Sequence, residues 1–404
     1  MDSFAFLDKI INDKIYLDYA AAAPVDKEVF KAMMPYFSEK FGNPSSIHSF
    51  GQEAIAAIDK AREKIARYFS CDFGEIIFTG SATESNNLAI KGLVHEHCGR
   101  NTHEMAHIIT TKIEHESVLE PLKELEGAGY EVTYLPVSKE GLIKVSDLEK
   151  SIKDNTVLIS IIYANNEIGT IQPIKELGKL LEKINKKRKE NGLPKIYFHT
   201  DAVQALNYLE CRPDWLKVDL LTFSGHKIYG PKGIGGLYIR KGAPLSPIIS
   251  GGGQEFGLRS GTENVSSIVG LAKAVELAFR NKDKNYKKVL DLRNQMLADI
   301  IKYSGGIVKL NGSSKNCLPN ILNLRFSGLS NETLIVALDQ AGVAVSAGSA
   351  CSGRALSASH VLTAMGLSPK QAKESVRISL GKNTTKQEIK KAAEIINKYE
   401  KLLI

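Results

Sequence analysis

Five short stretches of this 404-residue chain hold side chains able to do chemistry. In "TFSGHKIYG", Lys227 directly follows an apolar run and stands among Ser, Gly and His. At a sheet end the surroundings can lower a lysine's pKa, and such an amine can hold a carbonyl as a Schiff base. In "IYFHTDAVQ", Asp201 closes the preceding apolar run, so its carboxylate is expected beside Lys227 in space. A carboxylate there keeps a pyridine nitrogen protonated and its ring an electron sink. In "IIFTGSATESNNLAI", an apolar run turns through Ser81, Ala82 and Thr83 into a helical pattern. Free N–H groups and the dipole at a helix start favour a phosphate, although Ser81 and Glu84 also read as a capping box. In "KIEHES", His115 is expected to end a strand, where it could stack on a flat ring. Amine, ring-nitrogen carboxylate and phosphate cradle together describe a site for pyridoxal phosphate. The fifth stretch, "SAGSACSGR", is nearly all small residues around Cys351 and cannot fill a core. Its thiolate would be a nucleophile on an unobstructed loop.

These residues need a scaffold that brings distant segments together. From about residue 15 to 240, short β-branched runs alternate with helical stretches: "EIIFTG", "AHIITTK", "EVTYLPV", "TVLISIIYA", "IYFHTDA", "VDLLTFSG" and "GGLYIR" are the strand candidates. Such alternation predicts an α/β fold with a mostly parallel sheet between helices and ligands at the strands' carboxyl ends. That places "TGSATE", "NNEIG", "DAVQ" and "SGHK" around one crevice. After the glycine cluster "SGGGQEFGLRSGT", a long helical region leads to strand-like "NILNLRF" and "VAVSAG". The expected division is an N-terminal segment 1–14, a large cofactor-binding domain 15–265, and a smaller C-terminal α/β domain 266–404 carrying the cysteine loop.

The bulk numbers bound the function. With 43% hydrophobic and 24% charged residues the chain is globular. Its formal charge of +8 is a mild excess at this length, so "KINKKRKENGLPK" reads as the exposed end of a helix and not as a nucleic-acid patch. Five cysteines without CxxC spacing argue against disulfides or structural zinc and for a reducing compartment. The start "MDSFAFLDKIINDK" is no secretory signal, and no run approaches the ~18 to 20 apolar residues of a membrane span, so a cytoplasmic, membrane-free protein is expected.

Two motifs mislead. "HEMAH" (103–107) matches HExxH, but His107 runs into the strand "HIITTK", which breaks the helical spacing that zinc ligands need; no metal is expected. "GPKGIGG" leads into a strand instead of opening a helix, so it reads as a hairpin or strand-entry turn and not as a dinucleotide loop.

The chain resembles cysteine desulfurases of the NifS/IscS type, within the class V aminotransferase-like, fold-type I pyridoxal phosphate enzymes. The resemblance runs from "YLDYAAAAPVD" through "FGNPSSIHSFG", "ATESNNLAIKG", "EHESVL", "NNEIGTIQPI", "HTDAVQ", "FSGHKIYGPKGIGGLYIR", "GGGQEFGLRSGT" and "SAGSAC" to "VRISLG". It implies that Lys227 is the Schiff-base lysine, that Asp201 pairs with the pyridinium nitrogen, and that Gln204 bonds the ring hydroxyl. His115 would stack on the ring and move protons. Ala82, Thr83, Ser224 and His226 would hold the phosphate, with Thr262 reaching the phosphate of the other subunit of a homodimer. Asn166 and Arg377 would grip the substrate carboxylate. Cys351 would attack the sulfur of substrate L-cysteine, giving L-alanine and a persulfide that passes to an iron–sulfur scaffold or another acceptor, for cluster assembly or tRNA thiolation. Cys71, Cys98, Cys211 and Cys317 read as structural. The same fold also hosts transaminases and selenocysteine lyases, and a catalytically silent homologue would lack some of Lys227, Asp201, His115, Cys351 and Arg377.

Some details depart from the family pattern. "TGSATES" reverses the usual Ser-Gly order, Arg354 and His360 are unexpected in the cysteine loop, and the chain ends at "KYEKLLI" without the longer tail that helps dock the scaffold. These differences imply a different or additional sulfur acceptor.

Overall fold

The computed structural model describes residues 14–98, 106–348 and 358–403. Its strands are β1 (Ile15–Tyr16), β2 (Ile76–Thr79), β3 (His107–Thr111), β4 (Glu131–Leu135), β5 (Thr156–Ser160), β6 (Tyr197–Asp201), β7 (Leu220–Ser224), β8 (Gly235–Ile239), β9 (Val308–Asn311), β10 (Ile321–Phe326), β11 (Val343–Ala344) and β12 (Ser375–Ser379). Seven of them form one sheet in the order β2-β8-β7-β6-β5-β3-β4. Only β8 runs antiparallel to its neighbours, so the fold is α/β with a mostly parallel sheet, as the alternation of runs predicts. Every residue of β3, β5 and β7 is buried. Parallel strands covered by helices on both faces require such continuous apolar runs.

The covering helices are amphipathic for identifiable reasons. In Ser49–Phe69 the buried positions Ala54, Ile58, Ala61, Ile65 and Phe69 recur every three or four residues. His48 caps its start by accepting the Gly51 N–H, and Ser70 ends it in the left-handed region. Phe69 packs edge-on against Phe223 of β7, ring centroids 5.1 Å apart. Each such fully buried aromatic side chain stabilises the fold by roughly 1.5 to 3 kcal/mol. The helix Val265–Tyr303 packs against Ser49–Phe69 near its start and against the last helix, Lys386–Leu403, further on. Beside it lies an antiparallel sheet in the order β12-β10-β9. No helix among the described residues is long and apolar enough to cross a membrane.

Two local expectations need refinement and two are met. "VAVSAG" forms only the two-residue β11, which pairs in parallel with β1 (Ile15 against Val343), while Ser346 just beyond it makes an isolated antiparallel bridge to Arg377 of β12. The "KINKKRKE" helix end is mostly solvated, but Arg188 is buried and donates to the carbonyls of Lys153, Asp154, Thr156 and Pro194, locking the helix end to the strand entry. His107 does lie in β3, where its two ring nitrogens are each 2.8 Å from a hydroxyl, of Thr156 and Thr133. The "GPKGIGG" turn joins β7 to the antiparallel β8, the hairpin its sequence predicts.

Candidate active site

The parallel strands deliver their ends to one cavity. β6 stops at Asp201, which stands opposite Thr222 of the adjacent β7, so the chain leaving β7 carries Lys227 back beside it. Asp201, Lys227, His115, Gln204, Asn166 and Arg377 all line this cavity, together with Ala82, Thr83 and His226. Ser224 does not line it; its hydroxyl lies 2.9 Å from His226 Nδ1, one step behind. Thr262 is elsewhere in the chain's own surface, in a separate cleft with Thr79, Gly80 and Arg259. Cys351 and Arg354 lie outside the described residues.

The Lys227 ammonium donates to the Ala20 and Ala21 carbonyls at 2.9 and 2.6 Å. Gln204 Nε2 donates to the same Ala20 oxygen at 2.9 Å. Asp201 is buried and its two oxygens accept from the Val203 N–H at 3.0 Å and from Asn86 Nδ2 at 2.8 Å.

His115 does not end β3. It comes four residues later as the N-cap of the helix Glu116–Gly127, its Nδ1 accepting the Ser117 N–H at 3.1 Å. Burial holds its imidazole below the usual histidine range; Asp201 opposes that shift and Lys227 reinforces it. Burial, aided by Lys227 and Lys232, also pushes His226 down to about 4, so its ring is neutral near pH 7.

Ser81 caps the helix Ala82–Asn87 by accepting the Glu84 N–H at 3.2 Å, but the expected capping box is only half formed. The Glu84 carboxylate reaches past Ser81 to the Gly80 N–H at 2.8 Å and pairs with Arg259 at 2.9 Å. The start of this helix therefore faces the cavity with no carboxylate of its own folded over it. Gly235 lies beneath the turn: a Cβ there would sit 2.5 Å from the Ser81 carbonyl carbon.

Arg377 is buried, with Nη1 donating to the Asn166 and Gly348 carbonyls at 3.0 and 2.8 Å and Nη2 to Asp18 at 2.8 Å. Its Nε has no partner among the described residues.

Several residues at the site carry no local signature. Asp18 orients Arg377 from 359 positions away. Asn86 and Ser117 link Asp201 to His115. Glu114, wholly buried, accepts from Thr111 and the Ile162 N–H, yet burial pushes its carboxyl up to about 8. Glu167, also buried and raised for the same reason, accepts the Ser359 hydroxyl at 2.6 Å. His360 lines the cavity and contacts the Glu114 carbonyl at 2.9 Å. The one signal available was position: Asn86 on the helix that starts at Ala82, and Ser117 two residues after His115, follow residues already singled out.

The cysteines separate by environment. Burial pushes the Cys71 thiol up to about 12 and raises those of Cys211 and Cys317, so none of the three supplies a thiolate readily.

Comparison with known proteins sets this geometry in context. The family aminotransferase class-V matches residues 15–392. The chain is 47% identical over 390 residues to the cysteine desulfurase IscS of Dictyoglomus turgidum, spanning 96% of this chain and 95% of that protein. It is 46% identical over 385 residues to the putative cysteine desulfurase IscS 1 of Bacillus subtilis, spanning 95% and 97%. Among solved structures, a NifS-like protein superimposes with a TM-score of 0.88 at 38% identity, over 96% of this chain and all of its own. SspA in complex with cysteine does so with a TM-score of 0.76 at 40% identity, over 92% and 99%.

Proposed function

Because the chain belongs to the aminotransferase class-V family and is one of its pyridoxal phosphate-dependent cysteine desulfurases, we propose that its central cavity turns L-cysteine into L-alanine and leaves the sulfur as a persulfide on Cys351. The observation that carries this reading is the meeting of the Lys227 amine, the Asp201 carboxylate, His115 and the buried Arg377 in one cavity. The overall exchange balances: cysteine plus a thiol gives alanine plus a persulfide.

The donor set fits the cofactor. An amine stands where an aldehyde can be held, a buried carboxylate where a ring nitrogen can face it, and a helix start where a phosphate can rest. Pyridoxal phosphate, when bound, supplies an electron sink that drains charge from the substrate's Cα. Asp201 would hold the ring nitrogen's proton and Gln204 would meet the ring hydroxyl. Ala82, Thr83 and His226 would hold the phosphate, with Ser224 fixing the His226 ring from behind. His115, kept neutral by burial, would cover the ring face. Lys227 would hold the cofactor's aldehyde and is placed to move the Cα proton. Arg377 would take the substrate carboxylate together with Asn166, and its buried Nε, without a partner among the described residues, supports that assignment. Cys351 would then attack the substrate sulfur.

Thr262 lies away from its own chain's cavity, which supports a role across a homodimer interface. Phe30, Phe37, Phe41, Ile47 and Phe50 are exposed between residues 30 and 50, Ile47 at 93% and Phe41 at 68%. Apolar exposure of this density is what a second copy would cover. The sulfur would pass to an iron–sulfur scaffold or another acceptor protein in the cytoplasm. The test is a pair of variants assayed with L-cysteine. Cys351→Ala should keep the cofactor's colour and lose sulfur release, and Lys227→Ala should lose the covalent chromophore. Undiminished turnover in either variant would refute the assignment. Sedimentation of the wild type as a monomer would refute the dimer.

A further inference from the structure

Behind His115 lies a polar chain in which every hydrogen can be assigned. The Ser117 backbone N–H donates to His115 Nδ1 at 3.1 Å, so that nitrogen carries a lone pair and the neutral ring holds its proton on Nε2. The Ser117 hydroxyl lies 2.8 Å from the same Nδ1 and must be the donor there. Its oxygen then accepts from Asn86 Nδ2 at 2.8 Å, and the second Nδ2 hydrogen goes to Asp201 Oδ2, also at 2.8 Å. Turned over, the Asn86 amide would set its oxygen against a carboxylate, so its orientation follows from the chemistry of its neighbours. In that orientation Asn86 Oδ1 is buried without a partner among the described residues. An asparagine that merely filled space would not need to leave its oxygen bare.

We propose that Asn86 and Ser117 are positioning residues that transmit the sign of the Asp201 carboxylate to His115, holding Nδ1 as an acceptor and presenting Nε2–H to the cavity. The proposal deepens the reading of the cavity given above, since it rests on His115 facing the bound ring. Four charged or titratable groups bias His115 directly: Asp201 and Glu116 favour its cation, and Lys227 and His360 oppose it. The tie acts in a different way. A proton arriving on Nδ1 meets two donors already aimed at that nitrogen. The imidazolium therefore requires the Ser117 hydroxyl to turn away and leaves the Ser117 backbone N–H without its acceptor. His115 is thereby kept as a neutral ring with one fixed donor, whose direction is set by the same carboxylate that would face the ring nitrogen.

The test is side-chain nitrogen NMR of holoenzyme carrying 15N-histidine, followed across pH, with the His115 signals assigned by their loss in His115→Gln. The wild type should show an unprotonated Nδ1 and a protonated Nε2 at neutral pH. Ser117→Ala and Asn86→Ala should each raise the His115 titration midpoint by about one pH unit, through loss of hydrogen bonds to the neutral form. Ser117→Thr, which keeps the hydroxyl, should restore it. A wild-type ring protonated on Nδ1 at neutral pH would overturn the proposal, and that result needs no variant to fold. Wild-type tautomer and midpoint in both alanine variants would also overturn it. Because the readout is independent of turnover, absent alanine formation with the tautomer intact would count against the proposed function alone.

Discussion

Glu255→Ala should weaken the protein more than any exposed-surface change, through an ion pair remote from the cavity. Arg62 and Glu255 are buried together, with Nη1 and Nη2 donating to the two carboxylate oxygens at 2.8 and 2.7 Å. The carboxylate also accepts the Phe78 N–H at 2.8 Å, and the guanidinium lies 4.6 to 5.5 Å from the Phe73, Phe78 and Phe256 ring centroids. Removing one partner of a buried pair costs about 3 to 5 kcal/mol, because the other charge stays behind unpaired. Glu255 and Phe256 hold left-handed backbone conformations, φ 48° and 58°, and alanine at 255 bears the same backbone cost as glutamate. The net loss expected is therefore about 3 to 5 kcal/mol. The pair pins the loop that continues to Thr262, so cofactor release should also accelerate although no cavity residue has changed. Urea unfolding followed by circular dichroism, with cofactor release followed by absorbance, measures both. Replacing both partners, as Arg62→Met with Glu255→Leu, should recover much of the loss, since no charge remains stranded. A single variant within about 0.5 kcal/mol of wild type, the range of an uninvolved surface change, would refute this reasoning. A double variant as unstable as the single one would refute it equally.

Other outcomes follow from the same geometry. Because Glu114 is raised to about 8 in the folded chain from 4.5, the folded state holds its proton through that window and the unfolded state does not. Its contribution to stability is thus full below pH 4.5 and is lost as pH rises toward 8, by up to about 1.4 kcal/mol per unit; Glu114→Gln should flatten that decline in urea-midpoint measurements taken across the window. Gly235→Ala should lower pyridoxal phosphate affinity at least about tenfold by pushing on the Ser81 turn, with a stability loss of about 1 to 3 kcal/mol from overpacking; equilibrium dialysis and urea unfolding would report each. Mild alkylation of the native protein near neutral pH should label Cys351 and spare Cys71, Cys211 and Cys317, whose thiols burial raises; peptide mapping shows which are modified.

The cavity was legible in the sequence where chemistry coincides with a strand end. Asp201 and Lys227 follow apolar runs, and parallel packing of those runs brings their ends together, so residue type and local pattern sufficed. Partners set by distant packing left no such trace. Asp18 meets Arg377 because β1 pairs with β11 and the chain after β1 bridges β12, contacts that no local period encodes. Glu84 satisfied the spacing of a capping box but found Arg259, 175 positions away, a stronger partner than the amide beside it. Asn86 and Ser117 look like ordinary helix residues until the sheet sets Asp201 within hydrogen-bond reach of Asn86. Buried polar side chains answer to the nearest complementary group in space, and only the assembled sheet says which group that is.

Cavity and thiol are proposed to act on one substrate molecule, and a single-turnover experiment tests this directly. Holoenzyme is mixed with a limiting amount of L-cysteine and quenched. Free alanine is then counted against persulfide on the peptide containing Cys351. Equal amounts of the two are expected. Alanine without persulfide, or sulfur found on Cys71, Cys211 or Cys317 instead, would contradict it.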